Sequence, residues 1–263
     1  MNDIYSFVLL NIHMFLFILV RTTGIFVIAP VLSRNNIPMI MKIGLSLLVT
    51  YILLPVVTTG IEIQYNNILE LFFIIINEFL IGITIGFIGF IYFSTLYLAG
   101  TIIDTEIGFG MVNVLDPQMR TQVPIMGNFY TIIVTLLFLI ADGHHFIIET
   151  LVYSYNLLPI GFKFTVGDGM VYKLTTIMAE IFILAFNFSA PILITIFIAN
   201  LVLGILAKTM PQMNIFIVGM PLKILIGLLT ILITLQYMVP FSETLFDKMY
   251  TATYEIIEIL SKG

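Results

Sequence analysis

Residues 174–207 constrain the fold more than any other part of the sequence. The run is apolar apart from Glu180, Asn187, Asn200 and a few hydroxyls, and it well exceeds the roughly 20 residues that cross a bilayer. It is not alone, because residues 4–32, 40–57, 68–98, 123–141 and 215–239 are apolar runs of the same kind. With 60% hydrophobic and 10% charged residues, the chain lies far from the roughly half-apolar composition of soluble domains. It reads as an all-α integral membrane protein. No Pro/Gly/Ser-rich linker or charge run divides it, so residues 1–263 are expected to form a single domain.

Several excluded classes follow from what is sparse. Lys and Arg are scattered singly and the formal charge is -5, so there is no basic face to track phosphates and nucleic acid is not an expected partner. Cysteine is absent, which removes disulfide and thiolate chemistry. No glycine-rich phosphate loop, H-E-x-x-H or G-x-S-x-G occurs, so neither an enzyme nor a cofactor-binding protein is expected. The start, Met1-Asn2-Asp3, lacks the positive region of a secretory signal, and the first apolar segment is expected to be retained.

The charges that do occur inside apolar runs carry the most information. Arg21 sits in the first run, Glu78 in the third and Glu180 in the long one. An arginine in mid-span costs at least ~2.5 kcal/mol on insertion scales, so Arg21 is expected to face protein, with Glu78 or Glu180 as its partner. The plain reading of all three is structural packing. Gly82 and Gly86, with Gly89 after them, form a small-residue face on which another helix can approach closely.

Two stretches break the pattern of plain spans. Residues 99–122 hold Asp104, Glu106, Asp116 and Arg120 among Gly100, Gly108 and Gly110, with Phe109, Met111, Val112 and Val114 keeping the segment apolar. This connector reads either as a plain re-entrant link or as a plug or gate. The second break is an elbow, Lys208 to Asn214 with Pro211 and Gln212, followed by Pro221 and Lys223, which interrupt the next run. Pro191 is expected to kink the helix before it. Asp142 precedes Gly143-His144-His145 and is placed to N-cap the following helix. His145 and Glu149 stand four residues apart but lack a third ligand at a metal-binding spacing, so no metal site is expected. Residues 241–262 read as an acidic amphipathic helix lying on a partner or at the membrane interface.

In this order the pieces resemble a known family. They are the Arg21-containing run ending at Pro30, Ile37-Pro38 with Lys42, Asp116-Pro117, and Leu137-Phe138 through His145. To these are added Ser154 with Pro159, Ala190-Pro191, and the elbow through Pro221. The chain is similar over nearly its whole length to the FliR/SctT export-gate family of type III secretion. That resemblance implies an all-α fold of broken helices and helical hairpins, raised largely out of the bilayer plane, with a glycine-containing pore-plug connector. It implies FliP-like and FliQ-like partners, neighbouring FlhB-like and FlhA-like components, and unfolded flagellar proteins as cargo, at the inner membrane of a bacterial cell, at the flagellar basal body.

By position, the family's plug falls on Gly108, Phe109, Gly110, Met111, Val112 and Asn113. Arg21, Glu78 and Glu180 become charges facing neighbouring protein. Lys208, Pro211, Gln212, Asn214, Pro221 and Lys223 become the elbow by which the family is known. The same residues leave two other readings open. One is a proton-coupled secondary transporter using Glu78 or Glu180; the other is the equivalent subunit of a virulence injectisome.

Overall fold

The computed structural model describes residues 12–33, 37–57, 67–109, 124–210, 212 and 214–262. Among them the regular structure is helical, with no strand. The α-helices are α1 (Ile12–Ile28), α2 (Met39–Val57), α3 (Ile68–Ile107), α4 (Ile125–Ile140), α5 (Gly143–Leu157), α6 (Asp168–Thr209), α7 (Ile215–Thr234) and α8 (Met238–Lys262). A single 3-10 turn, Leu235–Tyr237, joins α7 to α8.

Among the described residues, four helical segments are long and apolar enough to cross a membrane. The pair α4 and α5, broken at Ala141-Asp142, adds a fifth if counted as one span. Two of the helices exceed what a span needs. At 1.5 Å per residue, α3 with 40 residues and α6 with 42 are each roughly 60 Å long, about twice the hydrocarbon core.

The chain divides into two compact units. The first comprises Met1–Tyr92, Ala141–Ile177 and Asp247–Gly263, and the second Phe93–Ile140 and Met178–Phe246. In the first unit α1 packs on α2, and α2 on α5. Here α1 and α3 meet backbone to backbone. A methyl group on Gly24 would stand 2.8 Å from the Phe79 carbonyl oxygen, one on Gly86 2.8 Å from that of Ile25, and one on Gly82 would collide with the Arg21 carbonyl. The small residues are what allow this crossing.

The last turns of α8 close the first unit. Met249, Ala252, Ile256, Ile257 and Leu260 are buried at helical spacing. The Tyr250 ring stacks on Phe146 at 3.8 Å, Tyr254 meets Tyr153 edge-on at 4.9 Å, and Glu255 pairs with Lys173. The apolar stripe expected to lie on a partner or an interface is therefore buried within this chain, with α5 and the start of α6 held alongside it. An amphipathic period reports that one face is buried; it carries no information about what buries it.

The second unit has an aromatic core. Phe138 meets Phe93 and Phe246 edge-on at 5.7 and 5.4 Å, and Tyr130 meets Phe188 at 4.8 Å. Outside both cores the surface is apolar, as Ile40 at 82%, Phe186 at 60% and Leu232 at 66% exposure illustrate. Surface of this kind belongs against lipid or other protein.

The helices run further than the sequence suggests at three places. The third run continues to Ile107, because Thr101 and Thr105 satisfy their hydroxyls on the Tyr97 and Thr101 carbonyls one turn back. The sixth helix begins at Asp168, ahead of the apolar run that starts at residue 174. Pro221 lies within α7 and does not end it, and Pro240 sits in the first turn of α8, where a proline's missing N–H has no helical partner to lose.

Candidate functional site

The first unit is organised around one fully buried cation. Arg21, in the middle of α1, and Glu78, on α3, have no exposed side-chain surface, and Arg21 Nε donates to Glu78 Oε2 at 2.7 Å. The Gly24–Gly82 crossing sets this up, since Arg21 lies one turn before Gly24 and Glu78 one turn before Gly82. Close backbones put the two side chains in the same layer. The rest of the guanidinium is used as well. Nη1 donates to Ser154 Oγ at 3.1 Å and Nη2 to the Leu158 carbonyl at 2.9 Å.

Each neighbour is itself held. The Ser154 hydroxyl donates to the Leu151 carbonyl at 2.7 Å, the Gly161 N–H donates to Glu78 Oε1 at 3.2 Å, and the guanidinium carbon lies 3.9 Å from the centre of the Tyr155 ring. Leu158 closes the C-terminal end of α5, where the helix dipole is negative, so the cation is also favoured there. Arg21 thus fastens α1, α3 and α5 together. Of the two carboxylates that the sequence offered it, Glu78 is the one it meets; Glu180 is half-buried on α6, in the second unit. Sequence reasoning missed Ser154, Tyr155 and Leu158, since neither charge nor spacing marks them as partners of an arginine far away.

The expected plug begins where α3 stops. Gly108 has φ 99°, a left-handed conformation, and the N–H groups of Gly108 and Phe109 both donate to the Asp104 carbonyl, at 3.1 and 2.9 Å. This is a Schellman-type helix ending, and glycine suits it because a Cβ is strained at that φ. Gly108 and Phe109 are half-buried. Gly110, Met111, Val112 and Asn113 lie outside the described residues, as do Asp116, Pro117 and Arg120.

The elbow between α6 and α7 is exposed at Lys208, Gln212 and Asn214, and Pro211 lies outside the described residues. Lys208 occupies the last turn of α6, where its charge complements the carbonyl end of the helix. The Asn214 carbonyl accepts from the Ile217 and Val218 N–H groups and so starts α7. Pro221 is exposed and Lys223 half-buried on that helix.

Between α4 and α5, Asp142 holds the N-cap position, but with φ 55° and ψ 29° and with no side-chain cap bond. Its backbone carbonyl, and not its carboxylate, receives the His145 and Phe146 N–H groups. The carboxylate turns instead to the imidazoles. Oδ1 stands 3.4 Å from His145 Nδ1 and 4.0 Å from His144 Nε2, and the two rings lie 4.2 Å apart. Among the described residues these three exposed side chains, and not His145 with Glu149, are the group whose donor atoms come together.

None of these groupings has the form of a catalytic dyad facing a cavity; they read as devices that hold helices in place. A family model described as bacterial export proteins, family 1, matches residues 12–249. The flagellar biosynthetic protein FliR of Bacillus subtilis (strain 168) is 30% identical over 226 residues, covering 84% of this chain and 86% of that protein. FliR of Escherichia coli (strain K12) is 27% identical over 249 residues, 95% of this chain and 94% of that one. The secretion system apparatus protein SsaT of Salmonella typhimurium is 25% identical over 233 residues, 88% of this chain and 90% of SsaT. With a family model spanning nearly all of it and relatives aligned over most of their lengths, the chain belongs to family 1 of the bacterial export proteins.

Proposed function

We propose that the chain is a subunit of a flagellar type III protein export gate, working as one domain over residues 1–263 in the inner membrane of a bacterial cell, at the flagellar basal body. The match of the export family to residues 12–249 is the observation that carries this reading. In it the subunit assembles with FliP-like and FliQ-like proteins, beside FlhB-like and FlhA-like components, around a channel for unfolded flagellar proteins. Two physical features support it. Helices of roughly 60 Å are twice as long as a bilayer core requires, which suits a subunit that rises out of the membrane beside others. The apolar faces left outside both cores supply the surface for such neighbours.

Within this proposal Gly108, Phe109, Gly110, Met111, Val112 and Asn113 are the plug that keeps the resting channel closed to ions. Arg21 and Glu78, buried, and Glu180, half-buried, are the charges that shape the subunit for packing, and Lys208 through Lys223 form the elbow that fits it to its neighbours. The transporter reading loses Glu78 as an open carboxylate on a substrate path, because its side chain is fully buried against Arg21. The likeness to SsaT favours a second reading, the equivalent subunit of an injectisome.

A chromosomal deletion scored for filaments and secreted flagellin tests the function. Loss of both supports the flagellar gate; normal motility with loss of another secretion activity supports the injectisome form, and no secretion defect of any kind overturns the proposal. Deletion of residues 108–113 tests the plug, with assembly retained and ion leakage gained as the expected result. An assembled deletion variant with unchanged conductance removes the plug assignment.

A further inference from the structure

The turn into α5 gathers three metal-ligating side chains that the function proposed above does not use. Asp142, His144 and His145 each offer one donor atom there, and these atoms all lie within 4.8 Å of one another. His145 Nδ1 is 3.4 Å from Asp142 Oδ1, and His144 Nε2 is 4.0 Å from the same oxygen. Both distances exceed the roughly 2.7–3.2 Å of an N–H···O hydrogen bond. The shorter one is close to the roughly 3.3 Å that separates two donors on one tetrahedral zinc ion, whose ligands stand about 2.0–2.1 Å from the metal. The three groups are thus spaced to hold an ion between them and not to bond to one another.

Neighbouring residues on a helix point about 100° apart, so two adjacent histidines do not ordinarily reach one point. Here a difference in reach compensates. His144 presents its far nitrogen, Nε2, and His145 its near one, Nδ1, with the ring centres 4.2 Å apart. Asp142 is available as a third ligand because its carboxylate makes no cap bond to α5. Its backbone carbonyl fixes the first turn instead, by taking the His145 and Phe146 N–H groups. Gly143 is buried and the Phe146 ring stacks on Tyr250 at 3.8 Å, which pins that turn further. The backbone is therefore set, while the three side chains, at 71%, 53% and 70% exposure, are open to a hydrated ion and can close on it. His145 and Glu149 lack a third ligand downstream; the structure supplies one upstream.

We propose that Asp142, His144 and His145 form a binding site for a divalent transition-metal ion of the zinc class. Two imidazoles and one carboxylate suit Zn²⁺, Ni²⁺ or Cu²⁺, whereas Mg²⁺ and Ca²⁺ call for oxygen ligands throughout. Three protein ligands leave at least one position to water. The ion then exchanges with solution and acts as a reversible tie across the start of α5, in the first unit.

The purified full chain, carrying no histidine tag and freed of metal with a chelator, is titrated with Zn²⁺ alone against a chromophoric chelator. The sequence favours a clean reading, since there is no cysteine to compete and the one other histidine, His13 on α1, serves as a control. The parent should bind one ion per chain. His144→Ala, His145→Ala and Asp142→Asn should each weaken binding at least about tenfold, the loss that even an outer-shell partner of a metal can cause. His13→Ala and Glu149→Gln should bind like the parent. Circular dichroism of each variant should show unchanged helix, because the substituted side chains are exposed. No saturable binding in the parent overturns the site, and so does unchanged affinity in any one of the three variants. A loss in Glu149→Gln as large as in His145→Ala overturns this ligand set.

Discussion

Replacing Arg21 with methionine removes the centre of the first unit while keeping much of the side chain's length. The loss has three parts: the 2.7 Å ion pair to Glu78, the donation to Ser154 and the donation to Leu158. Ser154 suffers least, since its hydroxyl still donates to Leu151. Glu78 suffers most, because it is left buried with only the Gly161 N–H. Removing one partner of a buried pair typically costs 3–5 kcal/mol, so about 4 kcal/mol is expected, a shift of roughly a thousandfold in the folded-to-unfolded ratio. The double variant Arg21→Met with Glu78→Leu removes both charges and strands only the Leu158 carbonyl and the Gly161 N–H. It should cost less than Arg21→Met alone, with a coupling of at least ~2 kcal/mol. Arg21→Lys keeps the charge but not the fork that reaches three acceptors, and should fall between the two. The assay is titration of the purified complex with denaturing detergent, followed by helical circular dichroism. If Arg21→Met unfolds within ~0.5 kcal/mol of the parent, or if the two single changes simply add, the pair is not the fastening described above.

Four smaller tests address other parts of the chain. Gly82→Ala should destabilise by about 1–3 kcal/mol or more in the same titration, because the Arg21 carbonyl occupies the methyl site. Gly44→Ala, with open space around it and a helical backbone, should stabilise by about 0.5–1 kcal/mol. Asp142→Gly should be neutral or stabilising by up to about 1 kcal/mol, since the aspartate holds a left-handed backbone without capping the helix; a clear loss of stability would show that its contacts with the imidazoles outweigh the strain. Lys173→Ala should change the unfolding free energy by less than about 1 kcal/mol, because the pair with Glu255 is partly exposed.

What the sequence disclosed followed the strength of the physical constraint. Arg21 and the glycines at 82 and 86 were legible, since a charge in an apolar run and a small-residue face each demand a specific environment. The extent of α3 was not, because Asp104 and Glu106 look like breaks although the helix carries them to the glycine that ends it. The contact of the Asp104 carboxylate, which accepts from the Met126 N–H at the start of α4, was hidden for a related reason: Met126 lies across a connector, and no local pattern links the two. Asp142 misled because N-cap preference concerns side-chain chemistry, whereas its left-handed backbone is set by the turn. The amphipathic end of the chain showed that one face is buried and nothing of its neighbour.

The Arg21 cluster also sets a schedule for making the protein. Arg21 leaves the ribosome well ahead of its last acceptor, the Leu158 carbonyl, which is 137 residues further along. At about 5–20 residues per second, synthesis leaves the guanidinium without its full set of partners for on the order of ten seconds or more. During that interval α1 carries a charge that lipid does not tolerate. The first helix must therefore wait beside water or protein, and it takes its final place only once α5 has been made.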